Sequence, residues 1–410
     1  MRARSPNEVL NWLVVVLAFS LPLYRAWVSL AATLIIILWF VQGDLRHRIH
    51  RLKRHRLTLA VVAFMALNLL SLIWSDNVLA GLDYWEKYTY FLLVPAVASS
   101  LRPKVAKWSL AALAAGTVLS VSLMPVVIFA DIRFGRAHPG NPAATMSHLD
   151  TSMVLAAVAV LILVHLAHTT LRPRRRLIWI MVFLVVVGGL LLNIGRSGQV
   201  AFIATLPVLV PLLLHRQPIR VRAAAVLGVV AAVMLVYAIV PRFQDRVDAA
   251  SAEIRTAVVE NRIDSNQGKR VAGAIVAGAI VAEHPVLGTG IGDNMPAFQR
   301  QLDTRFSELR EAIGWFPHFH NQYLQVTTEL GVVGLVSLLA IFATFVTGRY
   351  RRPEARAAAV ALSCVYLVGF FGDPFFHKQI TLVLFALAAG VISADDEAFF
   401  EESSQSTVDS

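Results

Sequence analysis

Two histidines and an asparagine stand together in Trp315-Phe316-Pro317-His318-Phe319-His320-Asn321-Gln322-Tyr323, where an aromatic segment runs straight into the apolar stretch from Leu324 to Val346. Imidazole is the side chain whose ordinary pKa lies near neutrality, so His320 offers a general base at a membrane surface. A lone histidine at a helix start is more often satisfied by a backbone carbonyl. The local cluster with His318 and Asn321 weighs against that fate.

Two arginines share the same face of the chain. Arg196 interrupts two apolar runs in the tight turn Asn193-Ile194-Gly195-Arg196-Ser197-Gly198, and Arg270 opens an apolar helix after Gly268 and Lys269. A guanidinium offers paired donors and keeps its charge, so each suits a phosphate or carboxylate. The structural alternatives are a snorkelling interface arginine for Arg196 and a solvated basic turn for Arg270. Asp373, in Phe371-Gly372-Asp373-Pro374 near Lys378, would orient an arginine or the histidine, or cap a turn. Arg25, Lys87, Arg136 and His138 are secondary candidates on that face. His138, His148 and Asp150 suggest metal ligands only weakly, because no second histidine or carboxylate stands at helical ligand spacing. No metal and no cofactor is expected.

The elements that must position these groups are membrane helices. Of 410 residues, 57% are hydrophobic and 15% charged, far from the roughly 25% charged of soluble domains. Apolar runs near bilayer length predict an all-α polytopic membrane protein with about twelve spans. They cover 9–23, 27–41, 57–74, 84–99, 108–130, 149–168, 177–192, 200–214, 221–240, 323–346, 357–371 and 380–393. The net charge of +11 is topological. Alternating loops carry 22 lysines and arginines on one side against 6 on the other, so the positive-inside rule puts both termini in the cytoplasm and excludes a nucleic-acid role. The first apolar run lacks a small-residue cleavage site and is expected to remain as a span. Cys364, the only cysteine, falls in a span, so no disulfide holds the outer loop.

Four regions follow: a nine-span part over 1–240, an outer helical loop over 241–320, three spans over 321–394, and an acidic tail over 395–410 that reads as disordered or interfacial. The loop reads as helices over 244–261, 269–282 and about 294–313. Its second helix is apolar nearly all round, which predicts burial against the membrane helices and makes the loop a lid. Gly288-Thr289-Gly290-Ile291-Gly292 is no dinucleotide loop, because no βαβ unit precedes it.

The stretch from His320 to Leu335, HNQYLQVTTELGVVGL, resembles the signature of the O-antigen ligase and polymerase superfamily. Gly268 to Gly292 resembles that family's arginine-led helix ending in a proline and a Gly-x-Gly turn. The resemblance extends to the topology of one long outer loop before the last three spans. It implies a metal-independent, inverting glycosyltransferase of the GT-C type at the periplasmic face of the inner membrane. The donor would be O-antigen on undecaprenyl diphosphate and the acceptor the lipid A core oligosaccharide, with membrane lipids as surroundings. His320 matches the family histidine, Arg270 the loop arginine and Arg196 the arginine of the smaller outer turn. Where the family commonly has an aromatic residue after the loop arginine, this chain has Val271 to Ile275, which bears on helix packing. O-antigen polymerase and protein O-oligosaccharyltransferase are the neighbouring readings. A transporter or lipid flippase is the reading from another class, disfavoured because the spans are nearly free of charge.

Overall fold

A computed structural model of the chain describes residues 5–43, 45–133, 137–143, 146–239, 241–260 and 262–399. Arg136 lies outside them. Among the described residues the chain is helical, with two isolated bridges, His138 to Asn141 and Tyr350 to Asp396, and no strand.

The helices, in order, are α1 Pro6–Ser20, α2 Arg25–Val41, α3 Leu45–Leu52, α4 Arg56–Leu70, α5 Val78–Tyr88, α6 Leu93–Ser100, α7 Pro103–Phe129, α8 His148–His168 and α9 Pro173–Leu192. There follow α10 Arg196–Leu213, α11 Ile219–Ile239, α12 Pro241–Val259, α13 Asn266–Glu283, α14 Asn294–Thr304, α15 Arg310–Ile313, α16 Gln322–Val346, α17 Pro353–Gly369 and α18 Gln379–Ser393. Seven are long and apolar enough to cross a membrane: α4 with its 3-10 extension to Trp74, then α7, α8, α9, α10, α11 and α16. The apolar helices α1, α2 and α18 are shorter. The expected span over 84–99 is not one rod. It divides into α5, a 3-10 turn at Thr89–Leu92, and α6.

Local chemistry sets the helix ends. Proline opens α7, α9 and α17, where its missing N–H costs nothing. Ser147 caps α8 by accepting from Asp150 N at 3.1 Å, and Asn321 caps α16 by accepting from Tyr323 N and Leu324 N. The central core gathers around α8, α17 and α18. There Phe342, Phe345, Tyr366, Phe370, Phe376 and Phe385 are buried in mutual edge and stacked contacts.

The outer loop has a core of its own. Ala272, Val276, Ala277 and Ile280 of α13 pack with Phe298, Leu302, Phe316 and Phe319. Thus α13 is buried on one face, largely against the loop itself rather than against the membrane helices as expected, while Ile275 on another face is exposed. The expected third loop helix is α14, a 3-10 turn at Ser307–Leu309, and α15.

The loop is joined to the membrane body through a break in α16. Gly331 has φ 62° and ψ −159°, a conformation essentially reserved for glycine, and it frees backbone groups on both sides. The Gly-rich turn satisfies them: Thr289 N and Gly290 N donate to Thr328 O and Glu329 O at 2.9 Å each. In return Val332 N and Val333 N donate to Pro285 O and Val286 O at 2.9 and 3.3 Å. The same turn reaches the segment between α4 and α5. Ile291 N donates to Ser71 Oγ, Ser75 Oγ to Ile291 O, and Asp293 accepts from Asp76 N and Asn77 N.

The tail is folded back over its first residues. Asp395 accepts from Arg352 N and Nε at 2.8 and 2.6 Å, and Asp396 from Arg349 N at 3.0 Å, so the tail as far as Phe399 docks on a basic loop.

A Cβ at position 331 would strike the Val286 backbone besides forcing the dihedral strain. Gly331→Ala is therefore expected to cost about 1–3 kcal/mol of stability. Thermal unfolding in detergent should show it, together with faster proteolysis between α12 and α16; unchanged melting and cleavage would contradict the interlock.

Candidate active site

The site is assembled where the start of α16 meets the loop between α17 and α18. Gln322 N donates to Phe370 O at 2.9 Å, its Oε1 accepts from Phe376 N at 2.8 Å, and Tyr323 OH donates to Leu367 O at 2.6 Å. These bonds fix the Asp373 loop against the His320 segment. Asp373 is fully buried, and its Oδ1 stands 3.0 Å from His320 Nδ1. Its Oδ2 is ion-paired with the Lys378 ammonium.

His320 is held in an unusual backbone conformation, φ 51°, strained for a side chain with a Cβ. Its N–H donates to His318 Nδ1 at 3.2 Å, and its ring lies edge-on to Phe316 and His318 at 5.0 and 4.3 Å. Because the carboxylate accepts at Nδ1, the Nδ1–H tautomer is the one the contact selects, leaving Nε2 as the basic nitrogen. His318 accepts through Nδ1 and stays neutral, since burial pushes its pKa down to about 3 against the partial relief of Asp373. Asp373 itself is held well below the usual carboxylate range. Burial alone would raise it, but the His320 hydrogen bond and the Lys378 charge outweigh that.

The structure brings Arg270 to this pair. Its Nη1 donates at 2.7 Å to the carbonyl of Gly372, the residue before Asp373. Burial lowers its pKa, the Asp373 charge opposes the shift, and the Arg196 charge adds to it. Arg196 is the first residue of α10, beside Ser197, which packs against Gly372 so closely that a Cβ there would collide with it. The Arg196 side chain is exposed and makes no hydrogen bond or ion pair among the described residues.

The secondary candidates divide. Arg25 donates to Gln379 Oε1 at 2.6 Å, and Gln379 Nε2 donates to Tyr90 OH at 3.1 Å. Lys87 sits 4.8 Å over the Tyr84 ring, which contacts His377. Both are therefore tied to the segment that carries Lys378. Asn321 is occupied as a helix cap, and His138 is exposed in a local turn where its Nδ1 accepts from Gly140 N. The sequence reading missed Glu329, fully buried beside the α16 break. Gln325 Nε2 donates to it at 2.7 Å, and His377 Nε2, which also meets Tyr88 OH, lies 3.5 Å away. A carboxylate inside an apolar run was the signal.

His318, His320 and Asp373 place their ligand atoms within 4.8 Å of one another, close enough to hold a metal ion. The donor set fits a cation poorly. His318 Nδ1 already accepts a backbone N–H, and the second Asp373 oxygen is paired with an ammonium, with Arg270 beside it.

Apolar helices of membrane-crossing length, with a partly buried histidine paired to a buried carboxylate and arginines nearby, describe a membrane protein. Residues 182–339 match the family model described as O-antigen ligase. The matched stretch runs from α9 into α16 and contains Arg196, Arg270, His318, His320 and Asn321; Arg25, Lys87, Asp373 and Lys378 lie outside it. No curated protein matches the chain.

His318 has a folded pKa below its ordinary 6.5, so the unfolded chain takes up a proton first as pH falls. Its contribution to stability is complete above pH 6.5 and is lost on descent towards about 3, by up to about 1.4 kcal/mol per pH unit. Melting temperatures of wild type and His318→Gln between pH 7 and about 4 should converge on acidification; parallel curves would rule this out.

Proposed function

We propose that this protein is an O-antigen ligase that transfers the glycan from undecaprenyl diphosphate to the lipid A core oligosaccharide at the periplasmic face of the inner membrane. The observation that carries the reading is buried Asp373 paired with His320, with Arg270 fixed to the adjoining carbonyl. The wider architecture in this reading is a twelve-span GT-C topology with both termini cytoplasmic, supported by the loop charge count and by helices over the apolar runs other than 84–99.

His320 Nε2 accepts the proton of the acceptor hydroxyl while Asp373 holds the ring and stabilises the imidazolium that forms. The hydroxyl oxygen bonds to the anomeric carbon as the bond to the diphosphate oxygen breaks, and the single displacement inverts that carbon. The leaving diphosphate carries its own good leaving-group chemistry, so it needs charge neutralisation rather than a proton donor. Arg196 and Arg270 supply that, with Lys378, Lys87 and Arg25 as further cations of the same end of the bundle. The exposed guanidinium of Arg196, without a hydrogen-bond or ion-pair partner among the described residues, supports its assignment to the substrate.

His320→Ala is expected to lower transfer by about 10²- to 10⁴-fold with expression retained. Arg196→Ala and Arg270→Ala should abolish transfer, read in an assay with purified protein, lipid-linked donor and core acceptor. Full transfer by His320→Ala would remove it as the base.

Transfer should also persist in excess EDTA; a strict requirement for added magnesium would reverse the metal-independent reading. In a deletion strain, lipopolysaccharide should lose all attached O-antigen while lipid-linked polymer accumulates. Core bearing a single repeat would instead identify a polymerase.

A further inference from the structure

At the other end of the bundle, the tightly packed pair α1 and α7 separates from the group formed by α8, α17 and α18. The groove between them encloses about 880 Å³ including its open mouth. It stays open because its walls carry small side chains: Ala18, Ala106, Ala355, Ala358 and Ala388 leave room that leucines would fill. Leu113, Leu161 and Leu384 complete an apolar lining. Counting about 1.5 Å per residue along α17, the mouth at Arg352 is roughly 25 Å from Asp373. The groove is thus separate from the site described above.

Its mouth is charged in both senses. Lys107 makes no ion pair among the described residues, whereas Arg352 is held by Asp395. Glu354 Oε1 takes both His165 Nδ1 at 3.2 Å and Thr169 Oγ1 at 3.4 Å, leaving Oε2 without a donor. An apolar slot whose mouth, among the described residues, has an unpaired lysine and an unbonded carboxylate oxygen complements a zwitterion with hydrocarbon tails.

We propose that the groove binds a glycerophospholipid with a phosphate and a primary-ammonium headgroup, taken from the surrounding bilayer. Lys107 meets the phosphate, Glu354 Oε2 accepts from the ammonium, and an acyl chain fills the alanine-walled slot. A quaternary ammonium has no N–H to donate, and a glycerol headgroup has no cation, so the headgroup chemistry is discriminating.

Native mass spectrometry of the full chain in detergent, with palmitoyl-oleoyl phosphatidylethanolamine, phosphatidylcholine and phosphatidylglycerol added in equal amounts, tests this. The ethanolamine lipid should be retained about tenfold over either of the others, the size expected for one charge-assisted hydrogen bond. Glu354→Gln should erase its advantage over the choline lipid, Lys107→Gln should weaken retention of all three, and Ala358→Phe should block the slot. Equal retention by wild type, a preference for phosphatidylglycerol, or an undiminished preference in Glu354→Gln would each overturn the proposal. Should Ala358→Phe fail to fold, Glu354→Gln decides alone, because it leaves the hydrocarbon walls intact.

Discussion

The backbone exchange between the Gly-rich turn and the broken helix α16 is the constraint on which the remainder depends. A helix interrupted within an apolar environment exposes amide and carbonyl groups that cost several kcal/mol each unless they are paired. Here four of them are paired by one turn, and that turn directly follows α13. The cost of the break and the attachment of the outer loop are therefore one interaction. Because the loop is held there, Phe316 stands against Gly273 of α13 on one side and the His320 ring on the other. Arg270, about one turn before the centre of α13, is delivered to Gly372 by that packing.

Asp373 is the second organising element, and its role follows from burial. An ionised carboxylate at zero exposure must be compensated, and this one is compensated by Lys378 and by a histidine N–H. Compensation and orientation coincide, since satisfying the acid fixes the imidazole's tautomer and plane. The strained φ of His320 is maintained by the His318 contact on its N–H and by the Asn321 cap one residue later. Neighbouring polar residues that looked like alternative chemical groups in the sequence are, in the fold, the supports of one histidine.

How far the sequence carried is best judged from such cases. Apolar periodicity placed α7, α8, α9, α10 and α16 closely, because length and composition alone determine where a long apolar rod can lie. It did not reveal the break at Gly331, since nothing local in Glu329-Leu330-Gly331-Val332 distinguishes a kink from a tolerated glycine until the partner turn is known. The 84–99 segment failed for a similar reason: its 3-10 turn answers to tertiary packing, with Phe91 buried among Phe64, Tyr88 and Phe376. The candidate residues His320, Arg270 and Asp373 were legible by type, but their juxtaposition spans more than a hundred residues and depends on contacts no spacing encodes. For the acidic tail, composition offered disorder or an interface, and over its described part the basic loop at 349–352 supplies partners to Asp395 and Asp396.

The electrostatic balance of the site bears on what it can receive. Around one buried acid stand Lys378, Arg270 and, at the start of α10, Arg196; only the first is matched by the carboxylate. The surplus is positive and sits beside a helix N-terminus, whose dipole also favours an anion. Two like-charged guanidiniums held near one another raise the energy of the empty site, as the downward pull of Arg196 on Arg270 expresses. A dianionic group between them would offset that repulsion, which suits the diphosphate of the proposed donor. The same surplus would repel a metal ion from the His318, His320 and Asp373 cluster, which ties the proposed metal independence to the same charges that would bind the donor.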